Sequence, residues 1–231
     1  MFIITRFTSV ILGVWRLVAI LTNKRLDFKS FSAIAKEQDI PIFKTKNIND
    51  EKTDVFMKNL NVNILVSAYN NQILKYEVCK KFPHRGINIH NSYLPDFGGL
   101  DSAFQTIYHG VKQSGATVHY VDRNIDTGKI LAQELIAVYP YDTIFSLNVR
   151  QWMRGARILP RVLEAIKCGT AESQKQDLNN IQYPYKSFPE RKCVKELLKR
   201  RKRMISLKDF FVPSAYIYGL FGRKKVGHTK K

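Results

Sequence analysis

Short, unbroken apolar runs alternate with helix-length stretches through much of this 231-residue chain, and that rhythm restricts its fold more than any other feature. The runs "RLVAILTN" (16–23), "IPIF" (40–43), "VNILVSAYN" (62–70) and "GINIH" (86–90) read as strands. Between them, "SFSAIAKEQD" (30–39), "DEKTDVFMKNLN" (50–61) and "QILKYEVCKKF" (72–82) have helical spacing. Ser30 or Ser32 can cap the first of these helices, and the second opens on acidic residues, which suits the positive end of a helix dipole. Strands without inside–outside alternation are buried on both faces, and intervening helices are the crossovers that parallel strands require. The expectation is an α/β domain: a Rossmann-like, mostly parallel sheet with helices on both faces. Further along, "LDSAFQTIYHGV" (100–111) reads as a helix, and "GATVHYVD" (115–122) and "KILAQELIAV" (129–138) as strands close enough for a hairpin. "TIFSLNVRQWMRGARILPRVLEAIK" (143–167) reads as a long helix bent or divided at Pro160.

With 45% hydrophobic residues the chain can build a substantial core. "FTSVILGVW" (7–15) is apolar between Arg6 and Arg16, but it falls short of the roughly 20 residues that cross a bilayer, so no transmembrane segment is expected. No small-residue cleavage site follows, and the apolar pattern resumes at once, which favours a buried strand and helix over a signal peptide. Cys79, Cys168 and Cys193 lie far apart. That spacing suggests a reducing, cytoplasmic setting, with neither a disulfide framework nor a zinc site.

Lys and Arg outnumber Asp and Glu by 38 to 19, a net charge of +19. This points to an anionic partner or to a solvated basic surface. Much of the excess follows Gly169, so residues 1–169 are read as the main domain and residues 170–231 as a short basic C-terminal extension. In it, "FPERKCVKELLKRRKRM" (188–204) makes a short basic helix, and "DFFVPSAYIYGLFG" (209–222) an aromatic segment able to pack on the domain. The run "KRRKR" (199–203) is read as a solvated helix face; no recognisable nucleic-acid module surrounds it, so nucleic acid is not the favoured partner.

The polar residues inside "GINIH" call for a reason. Residues i and i+2 of a strand share a face, so Asn88 and His90 point one way while Ile87 and Ile89 point the other. The strand ends at "NSYLPDFGG", whose Pro95 and Gly98-Gly99 make it a loop, and this sets both side chains at the carboxyl edge of the sheet, where open α/β sheets keep their sites. Thr117 and His119 share a face of the later strand, and "IDTG" is a turn that presents Asp126. An Asn, a His and an Asp converging on one pocket supply an oxyanion donor, a proton carrier and a group that favours a charged histidine. Taken alone, such a His is more often a satisfied hydrogen-bonding residue and such an Asp more often a turn former.

"NIHNSYLPDFGG" followed by "GATVHYVDRNIDTGKILAQ" resembles the paired signature of the 10-formyltetrahydrofolate-dependent formyltransferases, over roughly residues 17–168. The resemblance implies the formyltransferase fold and an enzyme of the hydroxymethyl- and formyltransferase class. It would move a formyl group from 10-formyltetrahydrofolate, a cosubstrate, to a primary amine without a metal. By the same resemblance Asn88, His90 and Asp126 are the catalytic trio, and Ser92, Leu94, Pro95, Thr117 and His119 shape the substrate pocket. Ile73, Leu74, Val121, Asp122, Ile125 and Asp126 would hold the folate, the first two through "AYNNQIL" (68–74). The acceptor would be a small anionic amine, with glycinamide ribonucleotide, and so purine biosynthesis, as the first candidate. The alternatives are an amino sugar nucleotide, or a truncated folate-binding relative with weak turnover; the oligomeric state is left open. Two departures stand out. Members acting on glycinamide ribonucleotide open with a Gly-Ser-Asn type loop, whereas the first glycine here is Gly13 in "VILGVW", so the first βα unit is shortened or atypical. Methionyl-tRNA formyltransferases carry a C-terminal β-barrel, for which the stretch after Gly169 is too short.

Overall fold

The structure, a computed structural model, describes residues 31–68, 72–187, 190–200, 202, 204–206 and 209. Four strands form one sheet in the order β1 (Leu65–Ala68), β2 (Gly86–His90), β3 (Gln113–Tyr120), β4 (Ile130–Ala137). β1 and β2 are parallel, with Leu65 opposite Gly86; β2 with β3 and β3 with β4 are antiparallel. The α/β class holds, but the sheet is mixed: among the described residues one of the three pairings is parallel. For the last pairing the cause is the link. Residues 121–129 are too few for a crossover, which takes about a dozen or more residues, so the chain returns as a hairpin.

The helices are α1 (Phe31–Glu37), α2 (Glu51–Asn59), α3 (Tyr76–Cys79), α4 (Ser102–Tyr108), α5 (Ile144–Lys167) and α6 (Arg191–Lys199). α2 begins where Asp50 accepts from the Thr53 N–H at 2.8 Å, with Glu51 and Asp54 in its first turn. Two expected elements differ. "IPIF" is not a strand: Pro41 has no N–H to give a ladder, Ile40 and Ile42 are exposed, and Phe43 instead stacks on Phe56 of α2 at 4.7 Å. "QILKYEVCKKF" shrinks to the single turn α3. The cause is the loop before α2, which takes the backbone groups a longer helix would use: Asn49 Nδ2 donates to the Ile73 carbonyl at 2.8 Å, and the Lys75 N–H donates to Asn49 Oδ1 at 2.9 Å.

α5 is one continuous helix, not two. A capping box starts it, the Thr143 hydroxyl oxygen accepting the Ser146 N–H and Ser146 Oγ accepting the Thr143 N–H, each at 3.0 Å. Pro160 is tolerated inside because it and Ala156, whose carbonyl it cannot serve, both lie on the exposed side. The opposite stripe, Leu147, Gln151, Gly155, Ile158, Val162 and Ile166, is buried at spacings of three and four. Ile158, Val162 and Ile166 close over Ile87 and Val118 of the sheet. Gly155 permits the approach: a Cβ there would come within 2.5 Å of Ile89 Cγ2.

Two further clusters complete the core. Met57, Leu74, Val78, Cys79 and Phe82 pack α2 against α3, and Ala103, Phe104, Ile107, Ile136, Leu147 and Leu197 join α4, α5 and α6. Residues after Gly169 therefore remain in contact with the body. Gln174 and Ile130 exchange both backbone hydrogen bonds at 2.8 Å, and Leu197 is only 1% exposed. Replacing Leu197 by Ala should lower stability by about 2–5 kcal/mol, the usual loss for emptying a buried leucine site. An unchanged urea midpoint would show that α6 does not contribute to the core. Among the described residues no helix is long and apolar enough to cross a membrane. "FTSVILGVW", "RLVAILTN", Ser30, Tyr69–Asn71 and the aromatic stretch after Asp209 lie outside the described residues.

Candidate active site

The β2–β3 register sets Asn88 opposite His119 and His90 opposite Thr117. Opposed residues of an antiparallel pair share a face, so these four polar side chains collect on one side while Ile87, Ile89 and Val118 turn toward α5. Asn88 Nδ2 lies 3.2 Å from His119 Nε2 and donates to Asp126 Oδ1 at 3.3 Å. His119 Nδ1 faces the Tyr120 carbonyl at 2.8 Å, an acceptor, so that nitrogen carries the proton and Nε2 accepts from Asn88. On the other side of the carboxylate, His90 Nε2 lies 2.9 Å from the Phe97 carbonyl and Nδ1 3.5 Å from Asp126 Oδ2. With Nε2–H given to a carbonyl, Nδ1 meets the carboxylate favourably when it too carries a proton. His119 Nε2 is also 3.5 Å from Asp126, at Oδ1.

Asp126 is thus the hub, and its charge is secure. Burial by itself raises its pKa, but the His90 charge and the Gly99 N–H, 2.8 Å from Oδ2, outweigh burial and bring the carboxyl to about 2. Its backbone sits in the left-handed region at φ 58°, which a short polar side chain tolerates. The loop holds that geometry from several sides. Asp122 accepts from the Asn124 N–H at 3.1 Å and the Thr127 hydroxyl at 2.8 Å, while Gln176 Nε2 donates to the carbonyls of Asp126 and Gly128 at 2.8 and 2.7 Å. A Cβ on Gly128 would lie 1.7 Å from the Tyr120 carbonyl oxygen, so only glycine fits. Gly128→Ala should cost about 1–3 kcal/mol, the scale of overpacking. A thermal midpoint equal to that of the wild type would show that the loop relaxes freely.

The "SYLP" loop is built just as tightly. Thr117 Oγ1 donates to the Ser92 carbonyl at 2.7 Å and accepts from the Leu94 N–H at 3.1 Å and from Gln133 Nε2 at 2.9 Å. Gln133 also donates to the Leu94 carbonyl at 2.8 Å, the Ser92 hydroxyl donates to the Asp96 carbonyl at 2.7 Å, and the Leu94–Pro95 peptide is cis. The C-terminal stretch braces the far end. Asp96 Oδ1 accepts the N–H groups of Gln182 and Tyr183 at 2.8 and 2.9 Å, and Tyr183 stacks on Phe97 at 4.5 Å.

Of the residues singled out in the sequence, the structure brings Asn88, His90, His119 and Asp126 together. Ser92, Leu94 and Thr117 are fully buried beneath the loop and support it rather than face an opening, while Pro95 is half-buried. Leu74 and Val121 meet in the α2–α3 apolar cluster; Ile73 and Ile125 are exposed, and the Asp122 carboxylate is occupied within its own loop. Cys79 lies beneath Gly86, and burial pushes its thiol up to about 11, which makes it an inert core residue. Sequence reading missed Gly99 as a donor, and Gln133, Gln176 and Asp96 as braces. Gln133 left one trace, a polar residue amid the apolar pattern of β4; Gln176, distant in sequence from Asp126, left none.

A family model described as "Formyl transferase" matches residues 19–163. Methionyl-tRNA formyltransferase of Blochmanniella floridana is 29% identical over 187 residues, covering 78% of this chain and 58% of its own length. The trifunctional purine biosynthetic protein adenosine-3 of Homo sapiens is 30% identical over 131 residues, 57% of this chain and 13% of that protein. The chain spans about half the length of the methionyl-tRNA formyltransferases it matches, from 48% to 58%. Among solved structures, phosphoribosylglycinamide formyltransferase from Anaplasma phagocytophilum is 27% identical with a TM-score of 0.56, covering 66% of this chain and 78% of that one. A sugar 3N-formyl transferase crystallised in the presence of dTDP and 5-N-formyl-THF is also 27% identical, with a TM-score of 0.56 and coverage of 69% and 53%. The matched segment encloses both the Asn88–His90 strand and the Asp126 loop, and the chain belongs to the formyl transferase family.

Proposed function

We propose that this chain transfers the formyl group of 10-formyltetrahydrofolate to a primary amine. The observation that supports it is the meeting of Asn88, His90 and Asp126 within hydrogen-bond or ion-pair reach at the carboxyl edge of β2. In the reaction the amine nitrogen bonds to the formyl carbon and the carbonyl oxygen becomes an oxyanion. The bond from that carbon to N10 then breaks, and N10 takes the proton the amine gives up. Asn88 and His90 are the donors for the oxyanion. Of the two contacts Asn88 Nδ2 makes, the one to Asp126 is the longer, and it is the one an oxyanion displaces. The separation of 3.5 Å between His90 Nδ1 and the carboxylate is beyond a tight hydrogen bond, which leaves the Nδ1–H open to a substrate oxygen as well. Asp126, at about 2, is a weak base, so its part is electrostatic: it orients His90 and favours positive charge on the attacking nitrogen.

For the folate we infer the side where Leu74 and Val121 meet, with the 121–126 loop as a wall; the apolar contact between those two residues supports this. For the acceptor, relatives named for glycinamide ribonucleotide, amino sugar and methionyl-tRNA chemistry support a primary amine on an anionic molecule, and the chain's +19 charge agrees. Glycinamide ribonucleotide is the reading we test first. Incubating the chain with 10-formyltetrahydrofolate and, separately, glycinamide ribonucleotide, a dTDP-amino sugar and methionyl-tRNA should release tetrahydrofolate and give a formylated product with one of them. Folate binding without transfer to any would replace this reading with that of a folate-binding relative.

A further inference from the structure

The loop after β2 gives the site two backbone groups: the Phe97 carbonyl, 2.9 Å from His90 Nε2, and the Gly99 N–H, 2.8 Å from Asp126 Oδ2. To present them, Phe97 holds φ 58° and Gly99 φ 95°. A left-handed backbone is costly for a bulky residue such as Phe and persists only where surrounding contacts leave the chain no alternative. Residues 182–186 make those contacts. The Tyr183 carbonyl accepts the Phe97 N–H at 2.8 Å, the Lys186 N–H donates to the Gly98 carbonyl at 3.1 Å, and the Lys186 carbonyl accepts the Leu100 N–H at 3.0 Å. The approach is close, since a Cβ on Gly99 would come within 2.2 Å of the Lys186 carbonyl oxygen. Asp96 fixes this segment in turn. Its Oδ1 accepts the Gln182 and Tyr183 N–H groups at 2.8 and 2.9 Å, and the Tyr183 ring stacks on Phe97 beside it.

We propose that Asp96, on the reading of formyl transfer given above, is a positioning residue: by anchoring residues 182–186 it sets the Phe97 carbonyl against His90 and the Gly99 N–H against Asp126. Its carboxylate touches neither histidine and acts through the backbone it holds. The stretch after Gly169 is then part of the site and not an appendage to it. Without the anchor, Phe97 relaxes from its left-handed conformation, and the Gly99 N–H turns away from the carboxylate that it now serves.

Wild type is compared with Asp96→Ala and with Asp96→Asn, which keeps an acceptor oxygen in place. With the amine that the wild type formylates, Asp96→Ala should lower kcat by about tenfold or more and leave KM for 10-formyltetrahydrofolate within about threefold, the split expected when reacting groups are misplaced while binding is kept. Asp96→Asn should recover most of the rate. The Gly99 amide proton signal, assigned by NMR at neutral pH without substrate, reads the placement directly, because a bond to a carboxylate shifts it downfield. It should move upfield in Asp96→Ala and stay in place in Asp96→Asn; a loss of stability alone does not move the signal of the folded state. Should Asp96→Ala fail to fold, Tyr183→Ala, which removes the stack on Phe97, is read in the same way. An unchanged kcat, a Gly99 signal unmoved in Asp96→Ala, or one moved equally in both Asp96 variants overturns the proposal. The signal is read without formyl transfer, so a wild-type chain that transfers nothing overturns the reaction, while the Gly99 signal still decides whether Asp96 places this loop.

Discussion

Asn88→Ala is expected to lower the turnover number by ~10²-fold or more, the scale seen when one oxyanion donor is removed. The argument rests on position. Asn88 lies in a strand whose register sets it opposite His119, and its amide hydrogens are aimed by His119 Nε2 and Asp126 Oδ1 before any substrate arrives. A donor held in that way acts on charge that develops in the transition state, so affinity for the folate should change little while the rate falls. Measured together, the single-turnover rate and the dissociation constant for 10-formyltetrahydrofolate separate the two. A variant with unchanged rate, or one in which rate and affinity fall in parallel, would remove Asn88 from the chemistry and leave it a structural residue.

The second large effect is expected for Asp126→Asn. The substitution keeps size but removes the charge on which two imidazoles converge, and it leaves one carbonyl oxygen where Asn88 Nδ2 and the Gly99 N–H each now have a carboxylate oxygen. A rate loss of ~10²-fold or more is the outcome expected for losing preorganised electrostatics of this kind. The same residue predicts a pH dependence of stability. Its folded value, about 2, lies below the ordinary 3.8, so the carboxylate contributes stability above about pH 4, and this contribution disappears as pH falls through the folded value. The amount is on the order of 2 kcal/mol from the size of the shift. Urea unfolding of wild type and variant at several pH values should give a difference that is full at neutral pH and shrinks between about pH 4 and pH 2. A difference that does not vary with pH would mean that Asp126 has no depressed ionisation in the folded state.

The strands around the site were legible in the sequence because a half-buried strand has a period of two, and "GINIH" and "GATVHYV" each carry polar residues at that period against an apolar background. "IPIF" has a similar apolar content, yet Pro41 and the absence of a neighbouring strand among the described residues left it irregular. The α3 region failed for a different reason. Its residues have helical spacing, but Asn49, well before them in sequence, claims their backbone groups.

The local pattern was enough to determine that Asn88 and His90 share a face, that the strand stops at a loop rich in Pro and Gly, and that a turn presents Asp126. Those are properties of neighbouring residues, governed by backbone geometry and turn chemistry. The tertiary structure decided that β3 lies antiparallel to β2 with His119 against Asn88, that Gly99 donates to Asp126, and that Gln176 braces the loop from beyond Gly169. It also decided that Ser92, Leu94 and Thr117 support the loop instead of facing the site, and that Leu197 of a basic helix belongs to the core. The physical reason is that hydrogen bonds and apolar contacts between distant segments are chosen by which surfaces meet after the sheet has formed. One-dimensional periodicity carries the direction of each side chain but not the identity of its partner.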